Sequence, residues 1–398
     1  MASTVAGTPS AQLVRSRLAA GAAFFVQGLL FISLTTRLPA VEQRWDLDEL
    51  VVSGLLLMVV LLAGVGSVIA EVVAKRGTSA RVVRAGFVLE AVGLGLVFAA
   101  PSFWVFVAGL ALYGVALGMV DASSNMQAVT VEHHYGRPIL PSFHGFWTAG
   151  GIVATLVTLG TASLEFGPTL LPLVIVAFLV LAAPFIRHDD VPPEASAFEV
   201  PWRRIMLLGL AMALFYMVDT AATTWGPVYL NGTLHAPSSL TALATLPYLL
   251  SMLVARGIGD RLVDRFGAVP MLRVSGVVAC VALAVVVFAP SWVVAVIGFA
   301  VLGGAVATIA PLSFSAAGAL AGGGAEDVPH RQERVDQVLA RFNQFNYVGA
   351  LLGAVLTGAV GAGNLRIGFA VPMVLVLGII PLAAQFAIVR RGALQPLA

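Results

Sequence analysis

Three carboxylates, Glu90, Asp121 and Asp219, stand inside apolar runs long enough to cross a lipid bilayer. A carboxylate in such a place costs about 2.5–3.5 kcal/mol on insertion scales, so it is rare and marks either a held partner or a task. The task open to it is proton carriage, because a desolvated carboxyl can alternate between protonated and ionised forms as water access switches sides. Asp121 comes 18 residues after Phe103, roughly 27 Å along a helix, and Asn125 follows one turn on along the same face. Asp219 lies about 15 residues into its run, with Tyr216 and Thr223 at i−3 and i+4. Both are candidate proton-coupling groups, the alternative being a structural hydrogen bond between helices. For Glu90 the expected role is a partnered interhelical contact.

Neutral and cationic groups in the same runs extend the candidate set. Gln27 falls near the middle of the first run, where an amide either binds solute or joins two helices. Arg37, near the outer end of that run, can bind an anion, hold Asp219 ionised, or snorkel to the interface. His144 titrates near neutrality and can relay protons or sense opening, or simply cap a helix end. Asn343, Asn346 and Tyr347 are further cavity candidates. Trp225, after Thr224, can stack on a ring-shaped solute or serve as an interfacial aromatic.

Other chemistries lack apparatus. Glu132-His133-His134 is no metal site, because adjacent histidines on a helix point about 100° apart and no HExxH or cysteine pair accompanies them. No GxxxxGK[ST] loop is present for ATP, and a single cysteine, Cys280, excludes an internal disulfide. No cofactor is expected. The net charge of +2 comes from scattered clusters, which argues against nucleic acid.

These side chains must be positioned by membrane helices. Hydrophobic residues make up 59% of the 398 and charged ones 11%, against roughly 25% charged in soluble domains. At about 20 residues per crossing, the sequence predicts twelve spans. They lie near 18–39, 49–70, 83–100, 103–130, 141–163 and 168–186, then 204–229, 238–257, 269–289, 291–318, 337–360 and 367–389. The expected organisation is an all-α membrane protein with a six-helix bundle in 1–186, a proline-bearing linker in 187–204 and a second bundle in 205–398. With both termini cytoplasmic, 19 of the 22 basic residues fall on the inside, leaving Arg37, Arg44 and Arg366 outside.

The halves also repeat. Thr35-Thr36-Arg37-Leu38-Pro39 is echoed by Thr223-Thr224-Trp225-Gly226-Pro227, 188 residues later. Gly109 and Gly114 match Gly298 and Gly303 at 189 residues, and Phe143, Phe146 and Gly150 match Phe342, Phe345 and Gly349 at 199. The same order at a near-constant offset argues for a duplicated six-helix unit.

This arrangement resembles the major facilitator superfamily over essentially the whole chain. The loop Asp260-Arg261-Leu262-Val263-Asp264-Arg265-Phe266-Gly267 is similar to the superfamily's cytoplasmic signature, while Ala74-Lys75-Arg76-Gly77 lacks the acid. Within the superfamily, Asp121-Ala122-Ser123-Ser124-Asn125 resembles the fucose:proton symporter group. Val131-Glu132, Gly136-Arg137-Pro138 and Phe143-His144-Gly145-Phe146-Trp147 resemble related bacterial inner-membrane transporters. The first span departs from the symporters, with Thr35 where they carry a carboxylate.

The resemblance implies a secondary transporter, with spans one, four, seven and ten around a central cavity and Asp121 and Asp219 facing it from opposite halves. Asp260, Asp264, Arg265, Gly267 and His144 become gating candidates, since a loop acid can face a helix N-terminus, Arg can form a salt bridge and Gly permits the tight turn. The expected activity is proton-coupled uptake of a small polar solute such as a sugar, with proton-driven efflux as the alternative. The expected setting is the bacterial cell membrane, as a monomer in contact with lipid.

Overall fold

A computed structural model describes residues 10–76, 78–135, 139–164, 166–186, 201–322, 338, 342 and 344–388. Ten of its helices are long and apolar enough to cross a membrane. In the first part of the chain these are α1 (Ala11–Thr35), α2 (Glu49–Ala74), α3 (Ser79–Ala99), α4 (Phe103–Ala128) and α5 (Ser142–Gly160), followed by the shorter apolar α6 (Leu173–Ala182). The second part holds α7 (Trp202–Thr233), α8 (Ser238–Gly259), α9 (Ala268–Val287), α10 (Trp292–Ala321), the shorter α11 (Gln344–Val360) and α12 (Leu365–Ala387). Ten long helices and two shorter ones meet the twelve expected spans. Among the described residues there is no strand.

The apolar surface is inverted relative to a water-soluble protein. Leu61, Val65, Val68 and Val72 of α2 and Val274, Val277 and Val281 of α9 are exposed along their helices, which is stable only against lipid. Trp104 and Phe288 stand out at helix ends, where amphipathic or large rings favour the membrane–water boundary. Arg84, assigned from sequence only to the inside-positive bias, has a second task. It donates to the carbonyls of Leu181 and Ala183, both at 2.9 Å, and so ties α3 to the end of α6.

Packing divides the chain into two compact units. Unit 1 comprises Met1–Phe31, Leu61–Gly151 and Phe166–Pro192; unit 2 comprises Ile32–Val60, Ile152–Glu165 and Pro193–Ala398. Most of the expected linker, 187–200, lies outside the described residues, and Trp202–Arg204 already belong to α7.

Small residues let helices touch, and they do so equivalently in both repeats. In unit 1 a Cβ on Gly150 of α5 would collide with the Phe25 carbonyl of α1; in unit 2 one on Gly349 of α11 would collide with the Ala213 carbonyl of α7. Gly109 against Gly93 and Val97 is likewise matched by Gly298 against Ala282 and Val286. For Gly303, which meets the Tyr248 carbonyl, the functional counterpart is Gly118 against the Ala63 carbonyl, whereas the sequence match pointed to Gly114.

The repeated Thr-Thr-x-x-Pro motif breaks both of the helices that carry it. Proline lacks an N–H and crowds the carbonyl four residues back, so Pro39 and Pro227 cannot continue a regular helix. Thus α1 ends at Thr35, turns at Thr36 and Arg37, and restarts as the short helix Leu38–Trp45. In α7 the same motif widens Ala221–Trp225 into a π-helix, and a second π segment follows at Tyr229–Thr233. Within unit 2 the short helix packs against Gly226–Val228, and Gln43 Nε2 donates to Asn231 Oδ1 at 3.3 Å.

Candidate functional site

In unit 2 the site is built on two broken helices. Asp219 is the last residue but one of the regular stretch Trp202–Thr220, before α7 gives way to the π segment, and π insertions recur where a helix must present a functional group. The Tyr248 hydroxyl of α8 donates to Asp219 Oδ1 at 2.7 Å, and Tyr248 is fully buried. Thr223 Oγ1 donates to the Asp219 carbonyl at 2.8 Å, so the expected i+4 neighbour steadies the Asp219 backbone rather than its carboxyl. Half-buried Tyr216 stacks edge-on against Phe215, with ring centroids 4.9 Å apart.

A cation completes this cluster. Arg256 of α8 stands close enough to act electrostatically on Asp219. Its position follows from a second proline. Pro311 in α10 cannot donate to the carbonyl of Ala307, the helix breaks at Ala307 and Thr308, and Arg256 Nε donates to that carbonyl at 3.3 Å. A sequence reading that gave Arg256 only to topology missed it, and Tyr248 as well. The available signal was Tyr248 and Arg256 eight residues, just over two turns, apart in one apolar span, hence on adjoining faces of the helix.

Arg37 does something else. It is 5% exposed and donates to the carbonyl and hydroxyl of Thr161 in unit 2, so it neither snorkels nor holds Asp219. Its Nε has no hydrogen-bond partner. Trp225 is fully buried, and its indole N–H donates to the Ala354 carbonyl at 2.7 Å, joining α7 to α11. That burial removes the interfacial reading. Asn346 and Tyr347 are half-buried on α11, and Asn343 lies outside the described residues.

Unit 1 holds the other aspartate. Asn125 Nδ2 donates to the Asp121 carbonyl at 2.9 Å and to its Oδ1 at 3.4 Å, so the expected one-turn pairing is present. Gln27 is buried in α1. His144 sits edge-on to Phe24 at 5.4 Å. Gln127, which sequence reasoning passed over, donates to Ser79 Oγ at 2.6 Å and to the Ile186 carbonyl at 3.0 Å, and its Oε1 accepts from the Ile186 N–H at 2.9 Å. Glu90 overturns its expected role: it is fully buried and neither carboxyl oxygen has a hydrogen-bond partner.

At the loop after α8, Gly267 adopts φ 84°, a left-handed conformation that glycine reaches without a Cβ penalty, so its expected turn role is realised. Arg265 is exposed and lies over the Phe266 ring, with its guanidinium carbon 5.4 Å from the centroid. The side chains of Asp260 and Asp264 lie outside the described set. No group of three or more metal-ligating side chains occurs among the described residues.

A multi-pass helical protein with polar side chains set at broken helices is built as a membrane transporter. The chain belongs to the major facilitator superfamily, whose family model matches residues 18–325 and again 208–395. An uncharacterised transporter of this type from Yersinia pestis is 27% identical over 317 residues, covering 77% of this chain and 80% of its own. The membrane protein MosC of Rhizobium meliloti is 25% identical, covering 94% and 90%. Among solved structures, the nucleoside transporter NupG superposes with a TM-score of 0.69 at 16% identity, covering 94% of this chain and 99% of its own. The Escherichia coli fucose:proton symporter FucP gives 0.61 at 15% identity over the same shares. At these identities the superpositions establish the fold.

Proposed function

We propose that this transporter couples inward movement of protons to uptake of a small polar solute, such as a sugar or related metabolite, by alternating access. The observation that carries the reading is the Asp219 carboxyl, which accepts from the Tyr248 hydroxyl beside an Arg256 fixed by the Ala307 carbonyl. A carboxyl with one neutral donor and a nearby anchored cation can hold a proton or release it as water access changes sides. Asp121, paired with Asn125, is the second coupling candidate. Solute contacts come from Gln27, Arg37, Asn125, Tyr216, Thr223, Trp225, Asn343, Asn346 and Tyr347. Support for a polar solute comes from the hydroxyl and amide chemistry of most of that set, and from similarity to a nucleoside transporter and a fucose:proton symporter.

The moving bodies in this reading are the two six-helix bundles, 1–186 and 205–398. His144 and the Asp260–Gly267 loop gate the cytoplasmic side, both termini are cytoplasmic, and the protein works as a monomer in the cell membrane. The test is purified protein in liposomes with a pH-sensitive dye inside, offered a panel of sugars and nucleosides. Solute-dependent acidification supports symport, while proton movement of opposite sign establishes exchange and with it the efflux alternative. Asp219→Asn and Asp121→Asn should exchange solute without accumulating it. Accumulation against a gradient by both variants would remove these two acids from coupling.

A further inference from the structure

Glu90 and Tyr113 are the least satisfied pair of buried groups in unit 1. Glu90 on α3 is 0% exposed and Tyr113 on α4 is 1% exposed. Glu90 Oε1, Glu90 Oε2 and the Tyr113 hydroxyl all lack hydrogen-bond partners. The helices run closely together here. Gly86 of α3 faces Val120 of α4 and Gly93 faces Tyr113, so the antiparallel register sets Glu90 between those levels, opposite the small Ala116. Sequence reasoning expected a partner for Glu90, and the packing supplies none.

The charged groups around it do not neutralise it. On α3 itself, Arg84 is six residues away and is engaged by the carbonyls of Leu181 and Ala183. The helix Phe166–Leu179 and the following turn Val180–Ala182, both packed on α3, carry no titratable side chain. From α4 the group at this level is Tyr113. Asp121, five residues beyond Ala116 and about 7.5 Å along the axis, is itself an acid and brings no positive charge. An ionised Glu90 would therefore be a buried anion with neither donor nor cation, the costliest arrangement available to a carboxyl.

A bound proton removes the charge and still leaves an acid O–H, a carboxyl oxygen and a phenol O–H to satisfy. One water can do so, accepting from the two hydroxyls and donating to the free oxygen, which lies within the two to four partners a buried water takes. A metal cation is a poorer match, since two side chains offer three oxygens and hard cations require about six.

We propose that Glu90 and Tyr113 form a proton-binding site bridged by one buried water between α3 and α4. The site is separate from the Asp219 cluster and does not depend on that cluster coupling transport. Releasing its proton would leave an anion that the closed helix pair cannot solvate, so proton loss and separation of α3 from α4 are linked events. The transporter thereby carries an additional proton whose release requires unit 1 to rearrange.

Infrared spectroscopy of the reconstituted full chain reads the site with the proton itself as ligand, and no solute is needed. At neutral pH a protonated-carboxyl band should appear, shift in heavy water, vanish in Glu90→Gln and move in Tyr113→Phe. A jump to alkaline pH should release fewer protons from Glu90→Gln than from the unmodified protein. Absence of the band, its removal by Asp219→Asn or Asp121→Asn instead, or its indifference to Tyr113→Phe would each overturn the proposal. Tyr113→Phe retains the acid, so its spectrum decides the matter even where Glu90→Gln does not fold. Loss of solute uptake in the aspartate variants with the Glu90 band intact would bear on transport alone.

Discussion

Glu42, on the short helix Leu38–Trp45 and outside the spans, makes the folded protein sensitive to pH in a direction that can be worked out. It is half-buried, and its carboxyl is pushed up from 4.5 to about 8, chiefly by burial and secondly by the Glu49 carboxylate. Arg44 on the same helix is engaged with the Trp45 ring, 5.0 Å from its centroid, and Asp46 follows in a left-handed turn at φ 52°. Between the unfolded and folded values, the folded chain retains a proton that the unfolded chain gives up. Stability therefore falls as pH rises through this window and reaches its floor above about 8. The 3.5 units between 4.5 and 8, at 1.36 kcal/mol each, set a ceiling of about 5 kcal/mol. Solvent screening of a half-buried group leaves about 2 kcal/mol. Glu42→Gln keeps the shape and removes the charge, so thermal unfolding in liposomes should show the variant matching the parent near pH 4.5 and exceeding it by a few degrees above pH 8. Glu49→Gln should recover a smaller part of that gain, because it removes the lesser cause. Parent and Glu42→Gln curves that stay parallel from acid to alkaline pH would refute the reasoning. The helix concerned packs on Gly226–Val228, so the same titration should alter the C-terminal part of α7.

Two further measurements address what holds each unit together. Gly150→Ala and Gly349→Ala insert a Cβ against the Phe25 and Ala213 carbonyls and should each cost about 1–3 kcal/mol in thermal unfolding, whereas Gly145→Ala, with open space around it, should be neutral or slightly stabilising. Equal tolerance at all three positions would contradict the close packing. Gln127→Ala strands the Ile186 N–H, and should lower stability by about 1–3 kcal/mol at any pH between 5 and 8; an unchanged melting temperature would show that the three bonds of Gln127 contribute little.

Much of the fold was legible because lipid enforces a simple rule. Each crossing needs about 20 apolar residues with backbone hydrogen bonds closed internally, so hydropathy and basic clusters located the spans. The two halves were also readable, since Gly150 and Gly349, or Pro39 and Pro227, must keep their identities to do equivalent work. Partnership between side chains was harder to read. Asp121 with Asn125 is local, one turn apart, and was visible; Asp219 with Tyr248 joins α7 to α8, 29 residues away, and was not. Trp225 looked interfacial in a linear reading because nothing in its own segment reveals that α11 covers it.

By itself the sequence determined an all-α, twelve-span chain built by duplication, with acids at Glu90, Asp121 and Asp219 inside apolar runs. These are properties of composition and period, which a chain carries before it folds. Only the tertiary structure decided which acid has a partner. It placed Tyr248 and Arg256 at Asp219, turned Arg37 to Thr161, and left Glu90 and Tyr113 together with none. The physical reason is that a carboxyl's energy depends on the donors and charges within a few ångströms, and those come from helices distant in sequence.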